Sequence, residues 1–369
     1  MVSLALLDDE GNLFGVINVV DALVVLFVVA VVTAGAAFVL QPEPAPEEPD
    51  LSSTHVTLDL GSQPNYIASE IGVGDTHDAD ENSELTITDV YRAPEDGQTR
   101  VTVRAELEGM ANDDGMTYAD APLRLGRSLD IATNRYQVSG AIRSVGANAS
   151  LPTDTTDVLL ETGLPAVDAD EVTVGDQLRI GGQTVATVET INAHATRDPN
   201  QHRVLVGLTL ATISDGDTTR FGVTPVRRGN TLSLATDEYE LDGRIQRVGT
   251  LEPPGTPTIR TVTLEISEVR EDFAETFHAG MTERADDETI ARVTNVDVEP
   301  STLITTGDDG SVNVVDHPIN RDVTLTTDLQ VREATTGTTF KGRSLQQGST
   351  VVLDLGTTTI EATVVNADA

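Results

Sequence analysis

Val226-Arg227-Arg228-Gly229-Asn230-Thr231-Leu232-Ser233-Leu234 is followed by Gly243, and the same punctuation returns twice elsewhere in the chain. A glycine with a leucine three residues on stands at Gly126 and Leu129, at Gly229 and Leu232, and at Gly342 and Leu345. Fourteen residues after each of these glycines comes another: Gly140, Gly243 and Gly356. Upstream, Gly74, Gly175 and Gly280 each precede by sixteen residues a branched aliphatic that closes a strand-like run: Val90, Ile191 and Val296. Spacings kept in triplicate describe one copied unit. At about 100 residues the unit is long enough to close its own core, so it reads as tandem domains rather than a short-period solenoid.

The repeats are placed at 54–148, 155–252 and 259–366. Each opens on a strand, at Val56–Leu60, Val158–Leu160 and Val262–Ile266. Each continues through its first glycine into an alternating run such as Leu85-Thr86-Ile87-Thr88-Asp89-Val90, the period-two signature of a strand with one buried face. Longer strands follow, as at Val101–Leu107 and Val323–Leu329. A tyrosine stands ten residues after the second glycine in the first two repeats, Tyr136 and Tyr239, with Val352 at that spacing in the third. Glycines at such points supply positive φ or a bulge where a small barrel turns its corner. The expected fold is all-β: three tandem homologous small barrels or sandwiches of five to seven strands behind one N-terminal transmembrane helix, with little other helix. Leu251-Glu252-Pro253-Pro254-Gly255-Thr256-Pro257 and Ala149–Asp154 are short linkers, which imply a semi-rigid series.

Composition narrows the setting. Of 369 residues 38% are apolar but only 3% aromatic, with no Trp, so the cores must be built from Val, Leu, Ile and Ala. The net charge is −37, and of 23 basic residues all but Lys341 are Arg. In multimolar salt the Debye length falls to about 3 Å or less, and a dense carboxylate surface no longer repels itself. An extreme halophile source, haloarchaeal or similar, is expected. Such a surface excludes nucleic-acid binding, which needs a cationic stripe. No Cys is present, so disulfides, thiolate catalysis and Cys-ligated metals are excluded.

Residues 22–40 form an uncharged apolar run, ALVVLFVVAVVTAGAAFVL. As a helix it would span about 28 Å, close to the ~30 Å hydrocarbon thickness. A single-pass anchor contacting membrane lipid is expected. The competing reading, a signal peptide cut near Ala34-Gly35-Ala36, lacks a basic n-region. The first basic residue is Arg92, so charge does not orient the span; a cytoplasmic N-terminus with an exterior body is the expected arrangement. The leader, 1–21, places Leu13, Val16, Ile17 and Val20 on one helical face, either at the membrane interface or as the start of the spanning helix. After the span, 41–53 is a Pro/Glu-rich spacer that favours polyproline II.

The leader Gly11-Asn12-Leu13-Phe14-Gly15-Val16-Ile17-Asn18, then Val19-Val20-Asp21 and an aliphatic span, resembles the start of domain-of-unknown-function family 4330. Gly11, Leu13, Phe14, Gly15, Ile17, Asn18 and Asp21 carry the likeness. Members of that family often have Lys or Arg where this chain has Asn12 and Val16. The resemblance implies a single-pass envelope protein with a β-rich body and supplies no catalytic residue. The body, through Gly181–Ile191, Val204–Leu210 and Val226–Leu234, is similar to the mammalian-cell-entry domains. That likeness implies small β-barrels behind one membrane helix, assembled as rings for lipid transport.

Chemistry is sparse. The histidines at 55, 77, 194, 202, 278 and 317 show no metal-ligand spacing and are expected in exposed loops or strand edges. No nucleophile elbow, phosphate loop or dinucleotide fingerprint occurs. Asn112–Gly115, Ser214–Asp217 and Gly307–Gly310 offer oxygen ligands for Ca²⁺ or Mg²⁺, although Asp-Gly turns are also ordinary hydrated surface. No catalytic residue, metal or cofactor is assigned. The expected role is a non-catalytic, membrane-anchored envelope stalk that scaffolds or binds an unknown protein or polymer, with homo-oligomers left open. The alternative is a subunit of a ring-like or tunnel-like transport or export assembly.

Overall fold

The computed structural model describes residues 12–13, 17–39, 50–112, 115–236, 239–285, 288–306 and 312–367. It divides into two compact units, Met1–Asp50 and Leu51–Ala369.

In the first unit, β1 (Asn12–Leu13) pairs antiparallel with β2 (Ile17–Asn18), Leu13 facing Ile17 and Asn12 facing Asn18. The expected helical face over Leu13–Val20 therefore does not form at Leu13 or Ile17; helix α1 (Val19–Val39) begins only at Val19. Asn12, Asn18 and the flanking Gly11 and Gly15 are weak helix formers, and the unbroken aliphatic run starts after them. Every side chain of α1 from Val20 to Ala36 is exposed. Among the described residues, no helix is long and apolar enough to cross a membrane. The leader residues Gly11, Phe14 and Gly15, and the spacer over 40–49, lie outside the described residues.

The second unit holds three barrel-like sheets in tandem, each of eight strands. The first module contains β3 (Leu51–Gln63), α2 (Asn65–Glu70), β4 (Thr76–Asp80), β5 (Ser83–Glu95), β6 (Gln98–Asn112), β7 (Gly115–Tyr118), β8 (Ala121–Pro122), β9 (Ser128–Ala132) and β10 (Gln137–Gly146). The second repeats this as β11 (Thr153–Pro165), α3 (Ala166–Glu171), β12 (Gln177–Ile180), β13 (Gln183–Ala195), β14 (Gln201–Asp215), β15 (Thr218–Phe221), β16 (Thr224–Pro225), β17 (Thr231–Ala235) and β18 (Glu240–Val248). The third is β19 (Thr256–Arg270), α4 (Glu271–Ala274), β20 (Thr282–Ala285), β21 (Glu288–Thr306), β22 (Val312–Ala334), β23 (Gly337–Phe340), β24 (Arg343–Ser344), β25 (Thr350–Asp354) and β26 (Thr359–Ala367).

The strand order is β4-β5-β6-β3-β10-β9 in module 1, and the same in the other two. The ends of the path approach each other, β4 against β9 and β20 against β25, which curls the sheet towards closure. Curling rests on bulges at matching positions, between Ile87 and Asp89, Val188 and Thr190, and Val293 and Asn295. The bulge also flips side-chain parity. In β5 Leu85 and Ile87 face the core, while beyond the bulge Val90, Tyr91, Arg92 and Ala93 are all buried. Each module has its own aliphatic core, for example Val56, Leu58, Ile87 and Val103 in the first and Leu264, Val293, Leu325 and Leu353 in the third. A single helical turn, absent from the sequence expectation, follows the first strand of each module. It tucks Ala68, Ala169 or Ala274 into the core.

The glycines occupy distinct roles. Gly74, Gly175 and Gly280 all have positive φ, and their N–H groups donate to Ile87 O, Val188 O and Val293 O at equivalent places. Gly126 and Gly229 likewise donate to Ile142 O and Ile245 O, but in module 3 it is Gly348 that donates, to Val364 O. Gly140 and Gly243 face Leu129 and Leu232 across a ladder in which module 3 has Val351 facing Ala362. The repeat spacing in the third copy is thus six residues out of register at Gly342 and Gly356, the difference between Gly342 and Gly348. Gly342 belongs to the tight turn between β23 and β24, and Gly356 to the turn before β26. Tyr136 and Tyr239 correspond in their turn hydrogen bond to Thr358, not to Val352, which lies inside β25. Two glycine turns close together in sequence offer the same spacing, and only backbone pairing separates them.

Candidate functional site

The modules meet in series through one reused contact, and the two copies of that contact differ in chemistry. Beyond the bulge of its central hairpin, a module presents one strand end to the two-residue turn between the small strands of the next module. At the first junction the presented residues are Tyr91, Arg92 and Ala93. The Tyr91 hydroxyl donates to Ala211 O at 3.2 Å and accepts from the Gly222 N–H at 3.1 Å. Tyr91 is buried within the module 2 core, and burial pushes its hydroxyl pKa up to about 12 against the opposing Gly222 hydrogen bond. Gly222 has φ +59°, and a Cβ there would lie 3.3 Å from Ala93 Cβ, so this seal needs a small residue on each side. Arg92 bridges the modules, donating to Ala68 O at 2.9 Å and Gln183 Oε1 at 3.3 Å, and also to Ile71 O.

The linkers are tied down as well. Thr88 donates to Ala149 O at 2.6 Å, Arg104 to Asn148 O at 2.6 Å, and the Leu151 N–H to Asp89 at 2.9 Å. Across the second linker Arg332 pairs with Glu252 at 2.9 Å.

At the second junction the register places His194 opposite Arg203, as Ala93 stands opposite Arg100 in module 1. Lys341, between β23 and β24, takes the turn position that Gly222 holds between β15 and β16. An Ala–Gly seal is thereby replaced by a His–Lys pair. Two cavities of about 510 and 500 Å³ open there, and His194, Phe340 and Lys341 line both.

Lys341 is the chain's one lysine. It adopts φ +50°, a conformation that costs a non-glycine residue on the order of 1–3 kcal/mol. Its side chain is sealed, with Nζ donating to Glu283 Oε1 at 2.5 Å and Val352 O at 2.8 Å and lying 5.3 Å from the Phe340 ring centroid. Burial lowers the Lys341 pKa, and burial raises that of Glu283; the attraction between the two opposes both shifts. Among the described residues Glu283 Oε2 has no hydrogen-bond partner. Burial, then the charges of Lys341, Arg203 and His202, push the His194 pKa down to about 3, so His194 is neutral at pH 7. Its Nδ1 is unpartnered.

Arg203 gives Nη1 to Glu161 at 3.1 Å and leaves Nη2 unpartnered. Arg197 pairs with Glu361, linking modules 2 and 3. The Arg343 side chain, exposed at the rim of the second cavity, makes no hydrogen bond or ion pair among the described residues.

From the sequence Lys341, His194 and Gly342 stand out separately, with nothing to bring them together. The six histidines were expected at exposed positions, yet His194 is only 9% exposed, carried inward by the parity flip at the bulge. The available signal was the lone lysine in an otherwise lysine-free chain. The repeat glycines Gly74, Gly175, Gly280, Gly126, Gly229, Gly140 and Gly243 shape turns and strand contacts, each within its own module; Gly342 alone reaches this junction, where a Cβ would lie 3.1 Å from Arg203 Nη2. Of the acidic turns, Asp215 pairs with Arg220 at 3.2 Å, while Asp113, Asp114 and Gly307–Gly310 lie outside the described residues. Among the described residues no group of three or more His, Asp or Glu side chains is placed to hold a metal ion.

Three tandem barrel-like modules, joined by an Ala–Gly contact at one junction and a His–Lys contact beside two cavities at the other, define a multi-module β protein. The chain belongs to the family described as domain of unknown function (DUF4330), whose model matches residues 4–146 and 253–368. The match takes in α1, module 1 and module 3, and the intervening module 2 lies outside the matched residues although its strand order is the same. No curated protein matches the chain in sequence.

Proposed function

We propose that this chain is a non-catalytic envelope protein of an extreme halophile, tethered to the membrane by its N-terminal apolar helix and holding a stalk of three β-modules outside the cell as a scaffold or binding module. The observation that carries the stalk is the pinning of both linkers and both junctions by side-chain hydrogen bonds and ion pairs, which opposes independent tumbling. The uncharged run at 22–40 and the full exposure of the helix side chains from Val20 to Ala36 support contact with lipid. The excess of 60 acidic over 23 basic residues supports work in multimolar salt.

The test is extraction in detergent at multimolar salt, followed by sizing and by protease accessibility on intact cells. A monomer whose body is cut from outside supports the stalk. A closed multimer would overturn it in favour of a transport or export ring, and a protected body would overturn the exterior placement.

A further inference from the structure

We propose that the junction between modules 2 and 3 is a binding site for an oxyanion, a phosphate group being the best fit, carried by a small solute or by a lipid headgroup. The internal control is the first junction, where the same contact is closed by Tyr91, Ala93 and Gly222. Closing the second junction would have needed only the same small residues. Instead it holds His194 and Lys341 and leaves a cavity of about 500 Å³, within the range of small-molecule sites.

The composition of that cavity runs against the rest of the molecule. The chain has 60 acidic against 23 basic residues. Among the described residues this cavity is lined by Arg197, Arg203, Lys341 and Arg343 with Asp198 as its one acid, whereas the adjoining cavity that shares His194 and Lys341 also has Glu189, Glu252 and Glu288. Three of these cations already have a carboxylate, Glu361, Glu161 and Glu283 respectively, which cancels their net charge but not their donors. Arg343 has none, and it adds a full positive charge at the rim close enough to depress the Arg203 pKa after burial and Glu161 have acted.

Buried polar atoms point the same way. His194 is 9% exposed, and among the described residues its Nδ1 and Arg203 Nη2 have no partner. Leaving such a donor or acceptor unmade costs about 1–3 kcal/mol each. Two of them beside an arginine with no carboxylate partner are explained by a ligand that accepts from the guanidinium and from the Nδ1–H of a neutral imidazole. Planar guanidinium forks match tetrahedral and planar oxyanions in two-point contacts. In multimolar salt long-range attraction is screened within a few ångströms, so such contacts would have to supply the selectivity over chloride. A bound anion offsets the charges of Lys341, Arg203 and His202 and so raises the His194 pKa from about 3, while burial, the largest cause of its depression, continues to act.

The experiment uses the full chain with ring-labelled histidine, in detergent at fixed multimolar KCl, titrated with inorganic phosphate, with acetate, and with phosphatidylglycerol micelles. His194 resonances are assigned by H194Q. The expected result is a saturable shift of His194 with phosphate, a rise of its protonation midpoint by a unit or more, and at least tenfold weaker binding in R343Q. Because Arg343 is exposed and unpartnered, that variant should keep the wild-type melting temperature. Response to free phosphate supports a solute; response only to the micelles supports a lipid headgroup. Acetate acting as strongly as phosphate overturns the phosphate preference. No saturable shift with any of the three, or R343Q binding as tightly as wild type, overturns the site.

Discussion

Acidification from pH 7 to pH 5 isolates His194. In the folded chain its pKa is about 3, against 6.5 for an unperturbed imidazole. At pH 7 the ring is neutral in the folded chain and about three-quarters neutral in the unfolded chain, so its pH dependence there is small. At pH 5 the unfolded chain binds a proton that the folded chain refuses, so the unfolded state holds more protons and stability falls with pH. At about 1.4 kcal/mol per pH unit, the 1.5 units between 6.5 and 5 remove about 2 kcal/mol. The loss would continue towards pH 3 and then level off. Glu283 acts oppositely: its raised pKa means that the folded chain takes up a proton more readily than the unfolded chain as pH falls through that window. The measurement is therefore a difference. Urea unfolding of wild type and H194Q at fixed multimolar KCl, at half-unit steps from pH 7.5 to 4.5, gives two stability curves. The gap between them should close or invert by about 2 kcal/mol on going to pH 5. Parallel curves would show that His194 is not held neutral, and the electrostatic account of the junction would fail with it.

Three further outcomes follow from the junctions and the strand contacts. Replacing Lys341 alone by Met should cost about 3–5 kcal/mol by stranding Glu283, which is 3% exposed, whereas K341M with E283L should recover most of that loss; a double-mutant cycle on melting curves reads it. Y91F should cost about 1–3 kcal/mol because the buried Gly222 N–H loses its acceptor, and limited proteolysis should then cut within 146–152, between modules 1 and 2, faster than in wild type. G140A should destabilise by about 1–3 kcal/mol, since its Cβ would fall 2.4 Å from Leu60 Cδ2 and 3.2 Å from Leu58 Cβ; thermal unfolding unchanged within error would contradict the close packing of the closing strand on the first.

Much of the architecture is legible in the residues because it rests on local rules. Alternation in Leu85–Val90 marks a half-buried strand. The positive-φ glycines at 74, 175 and 280 mark the same hairpin entry three times. What local rules miss is register. Gly342 and Gly356 fit the repeat spacing numerically, but backbone pairing assigns those roles to Gly348 and Ala362. The site is hidden for the same reason. His194 and Lys341 are 147 residues apart in the chain, and nothing near either one states that they meet. Their encounter depends on a bulge that turns His194 inward and on a tight turn that holds Lys341 at positive φ.

The family match sharpens where this cavity comes from. Residues 253–368 supply Glu283, Phe340, Lys341, Arg343 and the aliphatic wall at Leu345 and Val351, and they lie within the matched stretch. His194, Arg197, Arg203 and Glu161 come from module 2, outside it. Neither module alone holds the full set: module 3 without module 2 keeps the Lys341–Glu283 pair but lacks the imidazole and the half-paired guanidinium, while module 2 alone lacks the rim arginine. The unpaired donors therefore arise only where modules 2 and 3 meet. Module 2 also forms the first junction, where Tyr91 finds its partners at Ala211 and Gly222. Module 2 thus has two unlike faces, one whose hydrogen bonds through Tyr91 and Arg92 and whose Ala93–Gly222 contact lock it to the barrel before it, and one with Arg197, Arg203 and His194 that leaves space beside the barrel after it.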